Sequence, residues 1–142
     1  MAISTRFAVA THILCAMALK GGEPVRSEDM AARARTNAAV IRKILSMTNR
    51  AGLTTSRLGQ GGGALLARPA REITLADLYD AVEEQTLFPL PRCAPDEDCP
   101  IGRGIGEALE ARTGRAVGAL RKELARTSIA TLARELVGRG SA

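Results

Sequence analysis

The sequence predicts a mainly α-helical fold with a small β-hairpin wing: a winged helix-turn-helix followed by a long dimerisation helix. Three observations predict it. Residues 27–51 carry two short helical patterns separated at Arg35-Thr36, and the outer face of the second is basic and built of small residues. Two short extended runs, 53–58 and 64–67, flank Gly59-Gln60-Gly61-Gly62-Gly63, a tip suited to a hairpin. Beyond residue 100, Ile105, Leu109, Ala116, Leu120 and Leu124 line one side of a long helix.

The first helix is expected over residues 7–19. Ser4 stands as its cap, Phe7, Ala10, Leu14 and Met17 fall at helical spacing, and Lys20-Gly21-Gly22 ends it. Arg6 before an apolar run imitates a signal peptide, but His12 interrupts the run and Leu14 before Cys15 does not fit a lipoprotein cleavage site. No run approaches the length of a membrane span, so a cytoplasmic protein is expected. Ser27 is expected to cap the second helix, with Met30, Ala31 and Ala34 inward. Asn37 should cap the third, which stops at Gly52 and buries Ile41, Ile44 and Leu45. Thr74, with Asp77 at the capping-box spacing, starts a helix that buries Leu75, Leu78 and Val82.

Residues 84–100 then hold four prolines, Pro89, Pro91, Pro95 and Pro100, and the acidic run Asp96-Glu97-Asp98. That composition makes a long loop, which in a compact domain is usually functional or disordered. A helix over residues 101–124, rising ~1.5 Å per residue, outruns a small winged domain. Its apolar side would either cover the chain's own core or meet a second copy of the chain, and the length favours the second copy. Ser128 caps a last helix with Ile129, Leu132, Ala133 and Leu136, expected to pack on that partner. The chain divides accordingly into a DNA-binding domain (1–83), an effector loop (84–100) and a dimerisation segment (101–142). Aromatics make up 2% of the chain against 46% hydrophobic residues, so its core must be aliphatic.

Charge and motif coincide. Between residues 20 and 71 there are ten Lys or Arg against three acids, and from residue 72 onward nine against twelve. Positive charge gathered in one half is a footprint for a polyanion. The candidate double-stranded DNA contacts are Ser27, Asn37, Ala38, Ala39, Arg42, Lys43 and Arg50, with Arg57, Gly59, Gln60, Gly61, Gly62, Gly63 and Arg68 from the wing. Asn37, Ala38 and Ala39 let the backbone approach base edges; Arg42, Lys43 and Arg50 suit guanine edges or phosphates. The bland alternative is a helical domain with a solvated basic face, or a protein-interaction module on the same fold.

Gly59-x-Gly61-x-x-Ala64 also matches a relaxed dinucleotide-binding fingerprint. The polar run Thr54-Thr55-Ser56-Arg57 before it and Pro69 after it deny the buried strand and long helix that motif needs. With one histidine and no nucleophile beside an evident base, no catalytic constellation is present and no enzyme is expected.

Residues 4–14, 38–53, the triple glycine and its sequel at 61–67, and the Ile73-Thr74-Leu75 helix at 73–83 resemble the Rrf-two family. These are bacterial winged-helix transcription regulators that include iron–sulfur, nitric-oxide and cysteine-metabolism repressors. The resemblance covers nearly the whole chain and implies a homodimer. Leu58 departs from it, standing where many members carry an arginine before the wing glycine; Arg57 and Arg68 are the candidates to compensate.

The resemblance also places Cys93 and Cys99 where cluster-binding members hold ligands. Their third cysteine corresponds to Ile105 here, and one branch's histidine to Ala108. A thiolate-held iron–sulfur cluster takes four ligands, so it would need His12, Glu107 or a partner's donor. Cys99-Pro100-Ile101-Gly102 instead resembles the CPxG sequence of a branch not known for a cluster, and no cofactor is assigned. Cys99, read as the N-cap of a helix beginning at Pro100, is the expected redox-responsive thiol, and Cys15 the inert one. The expected function is a homodimeric, sequence-specific DNA-binding repressor, possible redox control lying in Cys93 and Cys99.

Overall fold

A computed structural model describes residues 4–84 and 86–140. Six α-helices and one hairpin follow in the order α1 (Arg6–Leu19), α2 (Ser27–Arg33), α3 (Ala38–Arg50), β1 (Thr54–Arg57), β2 (Gly63–Leu66), α4 (Leu75–Val82), α5 (Ile105–Leu124) and α6 (Ile129–Arg139). A 3-10 turn at Ala70–Glu72 precedes α4. The core is aliphatic, as the composition requires: Ile13, Leu14, Met30, Ile41, Ile44, Leu53, Ile73, Leu78 and Ile129 are almost fully buried.

Several ends form as the sequence dictates. The Val40 N–H donates to Asn37 Oδ1 at 3.0 Å, and Thr74 and Asp77 exchange the two bonds of a capping box. Ser128 Oγ accepts from the Thr131 N–H. Gly52 takes φ +73° after α3, the left-handed turn that a residue without Cβ makes at no steric cost. Between α2 and α3, Arg35 itself adopts φ +50°. That break is therefore strained for a non-glycine residue.

Other ends differ. Ser27 is the first residue of α2 and Arg26 its N-cap, with no side-chain cap bond. At α1 the cap position is Thr5, not Ser4. Glu83 arrives there from the end of α4, its carboxylate accepting from the Phe7 N–H (3.1 Å) and the Ser4 hydroxyl (3.0 Å). An acid at a helix N-terminus complements the unpaired N–H groups and the dipole. The seventy-odd residues between these partners hide the contact from local pattern reading.

The hairpin is held at both ends of its ladder. Its antiparallel register pairs Thr54 with Leu66 and Arg57 with Gly63. Val25, in the link from α1 to α2, adds a further bridge: its N–H donates to Ala64 O (2.9 Å) and the Ala64 N–H to Val25 O (2.8 Å). The buried hydroxyls of Thr48 and Thr54 lie 2.8 Å apart. The Thr48 proton goes to Leu45 O, so Thr54 is the donor between them. Together these bonds fix the angle between α3 and the wing.

The C-terminal half departs most from expectation. α5 starts at Ile105 with Gly104 before it, not at Pro100, and residues 99–104 form turns. Among the described residues α5 buries none of its twenty. α6 packs part of its apolar face on its own chain, while Leu136 and Val137 stay about half exposed. Ile129 and Ala133 enter the core, and the Ile129 N–H donates to Ile73 O at 2.8 Å. No helix among the described residues is long and apolar enough to cross a membrane.

Candidate nucleic-acid interface

α3 shows why its sequence alternates as it does. Ile41, Ile44 and Thr48 face the core, while Ala39, Arg42, Lys43, Ser46, Asn49 and Arg50 are exposed on the opposite side. Ala38 is half-buried and packed against the core. Asn37 is exposed, but its carbonyl oxygen is occupied by the cap. Its amide N–H groups remain for a ligand. Ser27 is half-buried at one edge of a polar groove of about 500 Å³ that runs between α3 and β1, where Arg42, Ser46, Asn49, Arg50 and Ser56 also contribute. Recognition helix and wing strand thus line one continuous, cationic depression.

The wing glycines separate into two kinds. Gly59 (φ +88°) and Gly61 (φ +76°) shape the exposed tip, with open space where a Cβ would stand. Gln60 is exposed between them. Gly62 and Gly63 are half-buried, and each is required by a close backbone approach: a Cβ on Gly62 would lie 2.1 Å from Arg57 O, and one on Gly63 2.7 Å from Val25 O. These two are fixed by the construction of the wing itself. Arg57 stands on the tip side of β1, as expected. Arg68 does not, because it follows β2 at the base of the hairpin and pairs with Asp77 at 3.6 Å. It stands at the other end of the hairpin from Leu58, which is 91% exposed at the tip.

The electrostatics hold one feature that sequence reading missed. Glu28, in the first turn of α2, accepts a 3.0 Å hydrogen bond from Arg42 Nη2 and lies 3.9 Å from Arg26 Nε. Its own backbone N–H, then Arg42, hold its carboxyl below the usual range. Among the described residues Lys43, Arg50 and Arg57 form no ion pair. The sole sequence signal for Glu28 was its acidity inside a basic stretch.

The cysteines scatter. Cys15 is buried in α1, and desolvation pushes its thiol pKa up, away from thiolate. Cys93 and Cys99 are exposed in the loop. His12 is exposed on α1, beside a groove lined by Cys15, Leu19, Lys20, Arg33 and Leu136, and Glu107 is exposed on α5. Among the described residues no three His, Cys, Asp or Glu side chains form a group that could hold a metal ion. The donor set within one chain does not fit an iron–sulfur cluster.

The sequence profile of the Rrf2 family, described as iron-dependent transcriptional regulators, matches residues 3–135. The chain belongs to the Rrf2 family. It is 35% identical over 127 residues to a protein of Bacillus subtilis (strain 168) assigned as the HTH-type transcriptional regulator YwnA, covering 89% of this chain and 93% of that one. It is 34% identical over 87 residues to the HTH-type transcriptional regulator IscR of Cereibacter sphaeroides, covering 59% and 57%. Among solved structures, one described as a DNA-binding protein superposes with a TM-score of 0.72 at 32% identity, covering 89% of this chain and 97% of that one. CymR, the global cysteine regulator of B. subtilis, shares the fold at TM-score 0.67 and 23% identity, over 95% and 98% of the two chains. This Rrf2 protein is a transcription regulator with a winged-helix DNA-binding fold, and not an enzyme.

Proposed function

We propose that this Rrf2 protein is a cytoplasmic homodimer that binds a near-palindromic operator and represses from it. In this reading residues 1–83 bind DNA, 84–100 carry the effector response and 101–142 hold the dimer. The observation that carries the DNA contact is the depression shared by α3 and the wing, lined with Arg42, Arg50 and polar side chains. α3 would enter the major groove while the tip at Gly59-Gln60-Gly61 follows the adjacent backbone. The dimer reading rests on α5, whose Ile105, Leu109 and Leu120 are 37–42% exposed along one stripe. An apolar stripe of that kind on a helix with no buried residue supports a protein contact there.

A mobility-shift assay on the chain's own upstream region, at stated salt, tests the reading, and no shift at any salt would favour an interaction module on the same fold. Arg42→Ala should cost about 1–3 kcal/mol and relax preference at one base pair. Lys43→Ala should weaken every sequence alike and lower the salt slope by about one unit. An unchanged slope removes the phosphate role of Lys43.

One observation favours a redox signal at Cys99. Its Sγ accepts the Gly102 N–H at 3.4 Å, so a backbone donor supports the sulfur even though α5 begins further on. A hydroperoxide attacked by the Cys99 thiolate would leave a sulfenic acid and, with a proton, water or alcohol; condensation with the Cys93 thiol would release a second water and close a disulfide. Cys99 is expected to alkylate faster than Cys93 when single Cys→Ser variants are compared. Equal rates, with oxidant-dependent DNA release unchanged in Cys99→Ser, would end the sensor reading.

A further inference from the structure

We infer that Glu28 is a positioning residue for DNA discrimination, holding the guanidinium of Arg42 for base reading and away from phosphates. The inference rests on the reading of α3 as the recognition helix and adds a residue of α2 to it.

The geometry sets the argument. Glu28 belongs to a different helix from Arg42, and their 3.0 Å contact spans the junction of the helix-turn-helix. Only one of the two protons on Nη2 is needed for that bond. The Nη1 protons and the other Nη2 proton stay available for a bidentate approach to guanine O6 and N7. An arginine tethered at one nitrogen has lost much of its rotamer freedom before DNA arrives, so less ordering remains to be done on binding.

The same carboxylate disfavours the wrong complex. On a non-cognate duplex Arg42 would gain most by swinging to a phosphate. Doing so strips Glu28 of its nearest cation just as the polyanion approaches, which is unfavourable by like-charge repulsion. Glu28 stays ionised under any neutral condition, since its own backbone N–H and Arg42 both hold its pKa down. Discrimination thus gains at the expense of overall affinity. Asp29, the exposed acid next to it, makes no ion pair among the described residues and serves as a control.

Glu28→Gln retains the shape and a carbonyl acceptor while removing the charge. Glu28 is exposed, so the fold should be unaffected, and an unchanged melting curve checks this. Binding of Glu28→Gln to random-sequence duplex should strengthen about 3- to 10-fold, with a salt slope steeper by about 0.9, the value for one more neutralised phosphate. The ratio of operator to random binding should fall at least about threefold, with the loss confined to the base pair that Arg42→Ala relaxes. Asp29→Asn should leave the ratio and the preference at that base pair unchanged. The double variant Arg42→Ala/Glu28→Gln should discriminate no worse than Arg42→Ala alone. Equal ratios for Glu28→Gln and the parent chain, or the same affinity gain with and without Arg42, would overturn the inference while leaving the recognition helix in place. An Arg42→Ala variant with full operator affinity and preference would instead sink the recognition-helix reading, and this inference with it.

Discussion

Gly62→Val is expected to reduce operator affinity by at least about tenfold while leaving the helical core folded. The first carbon of the new side chain would stand 2.1 Å from Arg57 O and 2.9 Å from Gly59 O. Both neighbours are backbone, so no side chain can move aside and the turn itself must open. Arg57 and the tip then leave the position from which they meet the duplex, and every phosphate that is no longer neutralised lowers the salt slope by ~0.9. The hairpin is also held outside that turn, at Ala64 by the Val25 bridge and at its base by the Thr48–Thr54 hydroxyl pair, which is why the core should persist. Titration at two salt concentrations beside a thermal melt reads both effects. An affinity within twofold of the parent chain would mean that the wing does not touch DNA.

The second large effect concerns α5. Introducing glutamate at both Leu109 and Leu120 should give a folded monomer whose operator affinity falls by about 10²–10⁴-fold. Both side chains are already 37–42% exposed in the single chain, so charge there does not attack the monomer's own core. In a dimer it would place unpaired carboxylates inside an apolar contact, where burial of charge is strongly unfavourable. The range of the loss follows from linkage: two recognition helices on one scaffold bind the second half-site at high effective concentration, and a monomer forfeits that gain. Sedimentation or light scattering reports the mass, and the mobility shift reports the affinity. A dimer that survives both substitutions would place the contact elsewhere, with the apolar groove of about 700 Å³ beside α1 and Leu136 the next surface to test.

Much of the architecture was legible because it is written in short-range patterns. Asn37, Thr74 and Ser128 cap helices through bonds spanning three residues, and the i, i+3 spacing of Ile41 and Ile44 puts the cations of α3 outside. Caps and periodicity depend on neighbours that the sequence itself specifies. The same reasoning was one residue off at Ser4 and failed at Pro100, where local preference pointed to a helix start. Ser4 Oγ accepts from the Arg6 N–H at 3.3 Å, one position before the cap at Thr5, and Glu83 takes the Phe7 N–H from across the chain. Before α5, Gly102 packs so closely that a Cβ would lie 2.7 Å from Asp96 O. The segment is therefore folded into turns rather than continued as helix.

The sequence by itself determined the family, the order of the elements and which face of α3 is cationic. Each follows from motif, spacing or charge along a continuous stretch. Only the tertiary structure decided which of the expected contacts share a surface. It turned Ala38 inward, moved Arg68 to the hairpin base beside Asp77, made Gly62 and Gly63 parts of the wing's construction, and brought Glu28 to Arg42. α6 likewise packs Ile129 and Ala133 within the same chain, and α5 remains the long helix without buried residues. The physical reason is common to all of them. Residues distant in sequence compete for the same space and the same hydrogen-bonding groups, and that competition is settled when the helices pack.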